Sequence, residues 1–148
     1  MLLRLTDIEP IPCPRPRLSR FGAYYPANYT MWKRKADKVL RQAVKGLPEH
    51  RVIDYPIDVW ISFLVRKPRA TRLYSPKPDI DNYMKAIFDA CNGIIWKDDS
   101  LVQTVWASKL WAELDKPGIY LWVNRHEGRS DIHPSRTMPE VRVREQPG

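Results

Sequence analysis

Residues that build disulfide frameworks, zinc sites and membrane spans are scarce in this sequence. Its 148 residues include two cysteines, Cys13 and Cys91, which lie far apart and in no Cys-x-x-Cys or Cys/His cluster. This argues against a disulfide scaffold and a structural zinc site. No apolar run approaches the roughly 18 residues that span a bilayer, and Arg4 and Asp7 interrupt the apolar start before it could form a signal-peptide core. We therefore expect a protein of the cytoplasm.

Several familiar catalytic motifs are also missing. The sequence has no Walker loop, no Gly-x-Gly-x-x-Gly and no Ser/His/Asp arrangement. Its three histidines, His50, His126 and His133, are isolated in loops or near the C-terminus, so we expect each to be a surface residue rather than a metal ligand. Any catalysis must therefore depend on other side chains.

Hydrophobic periodicity predicts a single domain with the order β-α-β-α-β-β, which is an α+β pattern. With 43% hydrophobic residues, 148 residues suffice for one core of ordinary size. The predicted elements are a strand over Met1–Ile8, a helix over Tyr29–Lys45 with Asn28 as its N-cap, a strand from Ile57 with one face in the core, a helix whose apolar stripe runs from Ile80 to Cys91, and a hairpin of Val102–Trp111 and Ile119–Arg125.

Two segments are predicted to lack regular structure. Prolines at alternate positions from Pro10 to Pro16 fix φ and remove backbone donors, so residues 11–17 should run extended along a surface. Residues 128–148 are rich in Pro, Ser and charge and hold only isolated apolar side chains. We expect them to form a disordered tail after a domain of residues 1–127.

Positive charge is concentrated near the N-terminus. The chain carries a formal net charge of +8, and residues 10–46 hold nine Lys and Arg against Asp37 alone. We name Arg15, Arg17, Arg20 and Lys33 here, with Lys77 further on, as candidate DNA-binding residues. Tyr and Trp side chains are interleaved with these charges, which suits contacts with a sugar-phosphate backbone or an unstacked base. The alternative is a solvated helix face with Trp32 in the core.

An acidic cluster interrupts this basic sequence between Asp79 and Asp99. This segment contains five aspartates, and its only basic residues are Lys85 and Lys97. Clustered carboxylates repel each other and any bound phosphate unless a divalent cation lies between them, and Asp oxygens are ligands that Mg²⁺ or Mn²⁺ prefers. Each feature also has a plain structural reading: helix capping for Asp79 and Asp81, an i,i+4 ion-pair ladder for Lys85, and solvation for Asp98 and Asp99.

Chain geometry allows the carboxylates to meet. The segment from Asn92 to Asp99 can reach about 23 Å when extended, whereas the helix before it is about 16 Å long. Asp99 can therefore return to Asp79 and Asp81, where the three carboxylates would form a metal site. Lys85, one turn into the helix, could then stabilise a developing phosphate charge.

The residues from Lys77 to Asp99 resemble the signature of the RusA family of Holliday junction resolvases, which is common in phages and prophages. The resemblance is carried by Lys77-Pro78-Asp79-Ile80-Asp81-Asn82, by Lys85-Ala86 and Asp89-Ala90, and by Asp98-Asp99 after Asn92-Gly93. It extends more weakly from about Leu3 to Arg125, through Arg15-Pro16-Arg17 and the element order. Where this sequence has Lys77-Pro78, the best-known member of the family has an arginine-rich sequence. This difference affects the expected local DNA contact rather than the metal site.

The resemblance implies a Mg²⁺-dependent endonuclease, with Mn²⁺ as the alternative ion, that binds four-way DNA junctions as a homodimer and nicks two strands symmetrically. It implies a small mixed sheet packed against two helices. It also implies that Asp79, Asp81, Asp99 and Lys85 are catalytic, with the three aspartates holding the metal, and it leaves the roles of Asp89 and Asp98 open.

Two rival functions remain open. One is a nuclease for replication forks or other branched DNA, and the other is a non-catalytic nucleic-acid-binding module, which the repulsion between clustered aspartates and phosphate argues against. For a homodimer, the strands offer an apolar interface in Trp60, Trp106, Trp111, Tyr120 and Trp122. The alternative for these aromatic side chains is burial under the two helices.

Overall fold

The computed structural model describes residues 1–113 and 116–128. Within these residues the elements are β1 (Leu2–Leu5), β2 (Arg17–Ser19), β3 (Gly22–Tyr24), α1 (Ala27–Lys45), β4 (Ile57–Val65), α2 (Ile80–Cys91), a 3₁₀ turn (Asp99–Leu101), β5 (Val102–Trp111) and β6 (Gly118–Arg125). The predicted α+β fold, with two helices and a mixed sheet, is confirmed. Strands β2 and β3 form an additional short hairpin that the periodicity did not predict.

The main sheet has the strand order β1-β6-β4-β5. Strand β4 pairs in parallel with β5 and antiparallel with β6, so it separates the two strands that were predicted to form a hairpin. That prediction is wrong. The connection from β4 through α2 places β5 beside β4 as a parallel neighbour, and β6 pairs with the opposite edge of β4 instead of with β5.

One face of the sheet forms the core with both helices. Alternate β4 side chains, from Ile57 to Phe63, are buried there with Leu40 of α1 and Ile87 of α2. Asp58 and Trp60, on the other face of β4, are also buried. The prediction that β4 commits one face to the core therefore understates its burial, because a central strand is shielded by neighbours on both sides.

The second face of the sheet carries most of the predicted interface aromatics. The register places Trp60 opposite both Trp106 and Trp122, and Trp60 stacks on Trp106 at 4.4 Å between ring centroids. The Nε1 atoms of Trp60 and Trp122 are buried without a hydrogen-bond partner. Because the helices pack on the opposite face, burial under the helices does not explain these three side chains.

Two predicted details of the remaining chain are wrong. Helix α1 begins at Ala27 with Pro26 in the N-cap position, so Asn28 lies in the first turn rather than at the cap. His126 is not a lone surface residue, because its Nδ1 lies 2.8 Å from Oδ1 of the buried Asp58. His50 is partly buried and contacts the Ile94 carbonyl at 3.0 Å. Both histidines therefore have structural partners.

The predicted disordered tail, residues 128–148, lies outside the described part of the chain except for Gly128, and His133 lies outside it as well. The end of the domain near residue 127 stays a prediction. Of the helices in residues 1–113 and 116–128, none is long and apolar enough to cross a membrane.

Candidate functional site

Asp79 and Asp81 flank the first residue of α2. Asp79 takes the N-cap position, yet its side chain makes no capping hydrogen bond. Asp81 lies in the first turn, where its Oδ1 accepts the backbone N–H of Asn82 at 3.0 Å. Both side chains are exposed. Capping therefore does not account for Asp79, whose carboxylate is available to a ligand.

The backbone in front of Asp79 is fixed by side chains from two other elements. Lys109 of β5 donates to the carbonyl oxygens of Pro76 at 2.6 Å and Pro78 at 2.8 Å. The hydroxyl of Tyr83 donates to the Lys77 carbonyl at 2.7 Å. These bonds hold the segment that leads into the two aspartates. Sequence reasoning missed Lys109, although a lysine pointing to the buried side of a strand was a signal that it has internal partners.

The Pro-rich segment, residues 11–17, is joined to α2. The backbone N–H of Cys13 donates to the carbonyl oxygen of Asn82 at 2.9 Å, and Cys13 itself is buried. Arg15 follows two residues later and is exposed. The structure therefore places the start of the basic segment, residues 10–46, beside the first turn of α2.

Lys85 is paired with Asp89 rather than with Asp81. Its Nζ lies 3.4 Å from Oδ2 of Asp89, one helical turn further on, and both side chains remain partly exposed. The negative charge of Asp89 raises the pKa of Lys85 above its ordinary value, so the ammonium stays charged throughout the neutral range. One rung of the predicted ion-pair ladder is thus present, and it gives Asp89 a role in holding Lys85.

Asp98 is the N-cap of the 3₁₀ turn and Asp99 is its first residue, and the turn contacts α2. Asp98 accepts the backbone N–H of Ser100 at 3.2 Å, and hydrogen bonding from the side chain and then the backbone of Ser100 lowers the pKa of Asp98. Asp99 begins the turn, and its carboxylate makes no hydrogen bond or ion pair with any described residue. Asp98 therefore has a structural function, whereas Asp99 has none that the contacts reveal.

Convergence of the three catalytic candidates stays a prediction. Among residues 1–113 and 116–128, no three His, Cys, Asp or Glu side chains are grouped closely enough to hold a metal ion. The chain turns back directly after α2, where Ile95 N–H donates to the Cys91 carbonyl at 2.9 Å and Gly93 N–H to the Trp96 carbonyl at 2.7 Å. Asp99 therefore follows closely on a turn anchored at the C-terminal end of the helix, whereas Asp79 precedes its first residue.

All five candidate DNA-binding residues are at least partly exposed. Arg17 and Arg20 belong to the β2–β3 hairpin and its turn, where the Arg20 guanidinium lies 4.8 Å from the ring centroid of Phe21. Lys33 of α1 lies over the ring of Tyr29 at 5.9 Å. Trp32 stacks on Tyr29 and donates to the Glu9 carbonyl at 2.7 Å, so it is a structural residue. The exposed aromatic side chains of this region are those of Phe21 and Tyr24 instead.

Comparison with known proteins assigns the chain to a family. The model of the family described as Endodeoxyribonuclease RusA matches residues 7–124, which is most of the chain. The chain therefore belongs to the RusA endodeoxyribonuclease family. It is also similar to the uncharacterized protein YqaN of Bacillus subtilis (strain 168), with 51% identity over 37 residues. That match spans 25% of this chain and 26% of YqaN.

Proposed function

We propose that this protein is a divalent-metal-dependent endodeoxyribonuclease that resolves Holliday junctions by paired, symmetric nicks during DNA recombination and repair. The observation that carries the proposal is the family match over residues 7–124, which includes every candidate catalytic residue. The exposed Asp79 and Asp81 beside the basic segment support it, because a pure DNA-binding surface gains nothing from carboxylates that repel phosphate. Its place of action is the cytoplasm, or the host cytoplasm if a phage encodes it.

The residues fit a divalent cation by their chemistry. Asp79, Asp81 and Asp99 offer hard oxygen ligands, and the Asp79 carboxylate is not engaged as a helix cap. These three residues would hold Mg²⁺ or Mn²⁺, and they would have to approach one another to do so, because among the described residues they do not form a ready-made group. A bound ion would supply a water of lowered pKa near neutral pH.

The chain's own cations have two roles in this proposal. Lys85 stabilises the negative charge that develops on the phosphate, since its ammonium stays protonated beside Asp89. Arg15, Arg17, Arg20, Lys33 and Lys77 hold the DNA backbone and set the position of the phosphate relative to Asp79. Lys85 thus acts in transition-state stabilisation, whereas the other five cations act in binding.

Two symmetric cuts require two sites in fixed relation, which a two-fold dimer supplies. We propose that the protein is a homodimer and that its interface is the sheet face carrying Trp60, Trp106 and Trp122. That face is rich in aromatic side chains and is not covered by α1 or α2. Tyr120 extends the same face, whereas Trp111 lies on the helix side and donates to the Leu73 carbonyl at 3.0 Å.

Cleavage of a synthetic four-way junction tests the function directly. We expect Mg²⁺-dependent paired nicks in the junction and little cutting of linear duplex of the same sequence. Asp79→Asn, Asp81→Asn and Asp99→Asn should each abolish cleavage while leaving junction binding intact or tighter, because each removes a charge that repels phosphate. Asp54→Asn, which changes an exposed aspartate in another loop, is the matched control.

The same assay separates the rival functions. Efficient cutting of forks or flaps with poor cutting of four-way junctions would favour a nuclease for other branched DNA. Cleavage by Asp81→Asn at the wild-type rate would remove the proposed site. Tight junction binding with no cleavage in Mg²⁺ or Mn²⁺ would favour the binding module.

A further inference from the structure

A cavity of about 580 Å³ is lined by Pro78 and Asn82, the residues that flank Asp79 and Asp81 in the chain. It opens to solvent between the Pro-rich segment, the first turn of α1 and the start of α2. Its size falls within the range of small-molecule sites in proteins. Its lining consists of Ile11, Pro12, Cys13, Pro14, Arg15, Asn28, Tyr29, Pro78 and Asn82.

Tyr29 lines this cavity and carries a buried polar group. Its side chain is only 1% exposed, and its hydroxyl is buried without a hydrogen-bond partner. Burial, together with the neighbouring Cys13 thiol, raises the pKa of Tyr29, so the hydroxyl keeps its proton, and a thiol is a weak partner for it. A buried hydroxyl without a partner costs about 1–3 kcal/mol. A ligand that accepts this proton would recover that free energy.

The other lining groups indicate a neutral, planar ligand with polar edges. Asn28 and Asn82 offer amide donors and acceptors, while the prolines, Ile11 and Cys13 offer apolar walls. Arg15 is the one charged residue in the lining. A phosphate would require more cationic or N–H donors than this, whereas a nucleobase combines an apolar face with hydrogen-bonding edges.

We propose that this cavity binds one unstacked DNA base, the base of the nucleotide next to the cleaved phosphate. Pro78 and Asn82, on either side of Asp79 and Asp81 in the chain, both line the cavity. A phosphate held at the aspartates is joined to its base through a single sugar, so the base can reach the cavity while the phosphate stays in place. Branch points supply such bases because stacking is interrupted there, which lowers the cost of unstacking.

The inference rests on the proposed function. It makes the cavity the site that determines which base the protein accepts at the cleavage position. Asn28, Tyr29 and Asn82 would read the base by hydrogen bonds. A site that hydrogen-bonds its ligand discriminates strongly against an analogue that leaves its polar groups unpaired. The protein should therefore prefer certain bases at the cleavage position.

Base insertion can be measured without cleavage. The full chain carrying Asp81→Asn is mixed, in Ca²⁺, with four-way junctions that hold 2-aminopurine at one position at a time around the branch. We expect the fluorescence to rise severalfold at one position beside the cleaved bond, because 2-aminopurine brightens when it leaves the stack. Adding Tyr29→Phe and Asn28→Ala should remove most of this rise while junction binding persists.

Base preference provides a second readout in the otherwise unmodified chain. Tyr29→Phe keeps the ring and its packing but removes the hydroxyl, so we expect the ratio of cleavage rates between the preferred and a disfavoured base to fall about tenfold. The matched control, Tyr74→Phe, changes a fully exposed tyrosine outside the cavity and should leave the ratio unchanged.

The outcomes separate this inference from the proposed function. Junction binding without a fluorescence change at any position, or an unchanged base preference in Tyr29→Phe, would overturn the base cavity and leave the nuclease function intact. Failure of the unmodified chain to bind or cut any branched DNA would overturn the proposed function, and the base cavity with it.

Discussion

A hydrogen bond from Lys109 to Pro78 ties the sheet to the backbone directly before Asp79, the first candidate metal ligand. The Lys109 ammonium donates to the Pro78 carbonyl at 2.8 Å and also to the Pro76 carbonyl at 2.6 Å. A charged donor that satisfies two carbonyl oxygens restrains the backbone more than a neutral one does. The position of Asp79 is thereby coupled to β5, although Asp79 and Lys109 are 30 positions apart in the sequence.

Replacing Lys109 should lower activity because it changes the position of Asp79, not because it removes a positive charge from the site. Lys109→Met removes both hydrogen bonds and keeps most of the side-chain volume, so we expect a loss of about 2 kcal/mol in the free energy of unfolding. At a temperature where the variant is fully folded, junction cleavage should fall about tenfold while junction binding changes little. Urea unfolding and single-turnover cleavage measure the two effects, with Lys116→Met as the control. Unchanged cleavage would show that this contact does not position Asp79.

Binding affinity should depend steeply on salt. Each phosphate neutralised by Lys or Arg adds about −0.9 to the slope of log K against log salt for duplex DNA. The double variant Arg15→Ala/Arg17→Ala should therefore flatten the slope by about two. Arg51→Ala, whose guanidinium donates to the Pro48 and His50 carbonyls, is the control. An unchanged slope in the double variant would show that the DNA-binding surface lies outside the Pro-rich segment.

Folding stability should decline at alkaline pH. Burial raises the pKa of Cys91, Tyr29 and Tyr83 above the ordinary values of 9.0 for the thiol and 10.0 for the phenols. The folded chain then holds these protons more tightly than the unfolded chain. Their contribution to stability is complete below about pH 9 and is lost as the pH rises beyond the ordinary values.

Urea midpoints measured between pH 7 and pH 11 test this decline. Cys91→Ala should flatten the part of the curve that begins near pH 9, because it removes the buried thiol. The later part, above about pH 10, should remain, since it belongs to the two tyrosines. Parallel curves for Cys91→Ala and the unmodified chain would assign the decline to other groups.

The proposed dimer makes a prediction about the second face of the sheet. Trp106→Arg places a charge beside Trp60 and should convert the dimer to a monomer in sedimentation experiments at micromolar concentration, because an unpaired charge is costly in an apolar interface. Paired nicking should be lost with it. Met31→Arg changes an exposed apolar side chain of α1 and should leave the dimer intact. A monomeric unmodified chain would contradict the proposed interface and favour the general branched-DNA nuclease.

Local patterns in the sequence were sufficient to predict most elements and the candidate residues. The stripe from Ile80 to Cys91 coincides with α2 because a 3.6-residue period identifies one buried helical face. The alternation after Ile57 likewise coincides with β4. The same local reading predicted Asp79 and Asp81 at the start of a helix, since helix boundaries depend on neighbouring residues.

The sequence by itself thus determined the α+β class, most of the secondary-structure elements and which acidic and basic residues are candidates for the site. Only the tertiary structure decided that β4 separates β5 from β6, that Lys109 holds the backbone before Asp79, that Lys85 pairs with Asp89, and that Tyr29 lines a cavity beside α2. The physical reason is the distance along the sequence over which each kind of interaction acts. Periodicity and capping report interactions among residues a few positions apart, whereas strand order and internal partners depend on which distant surfaces bury each other when the chain closes its core.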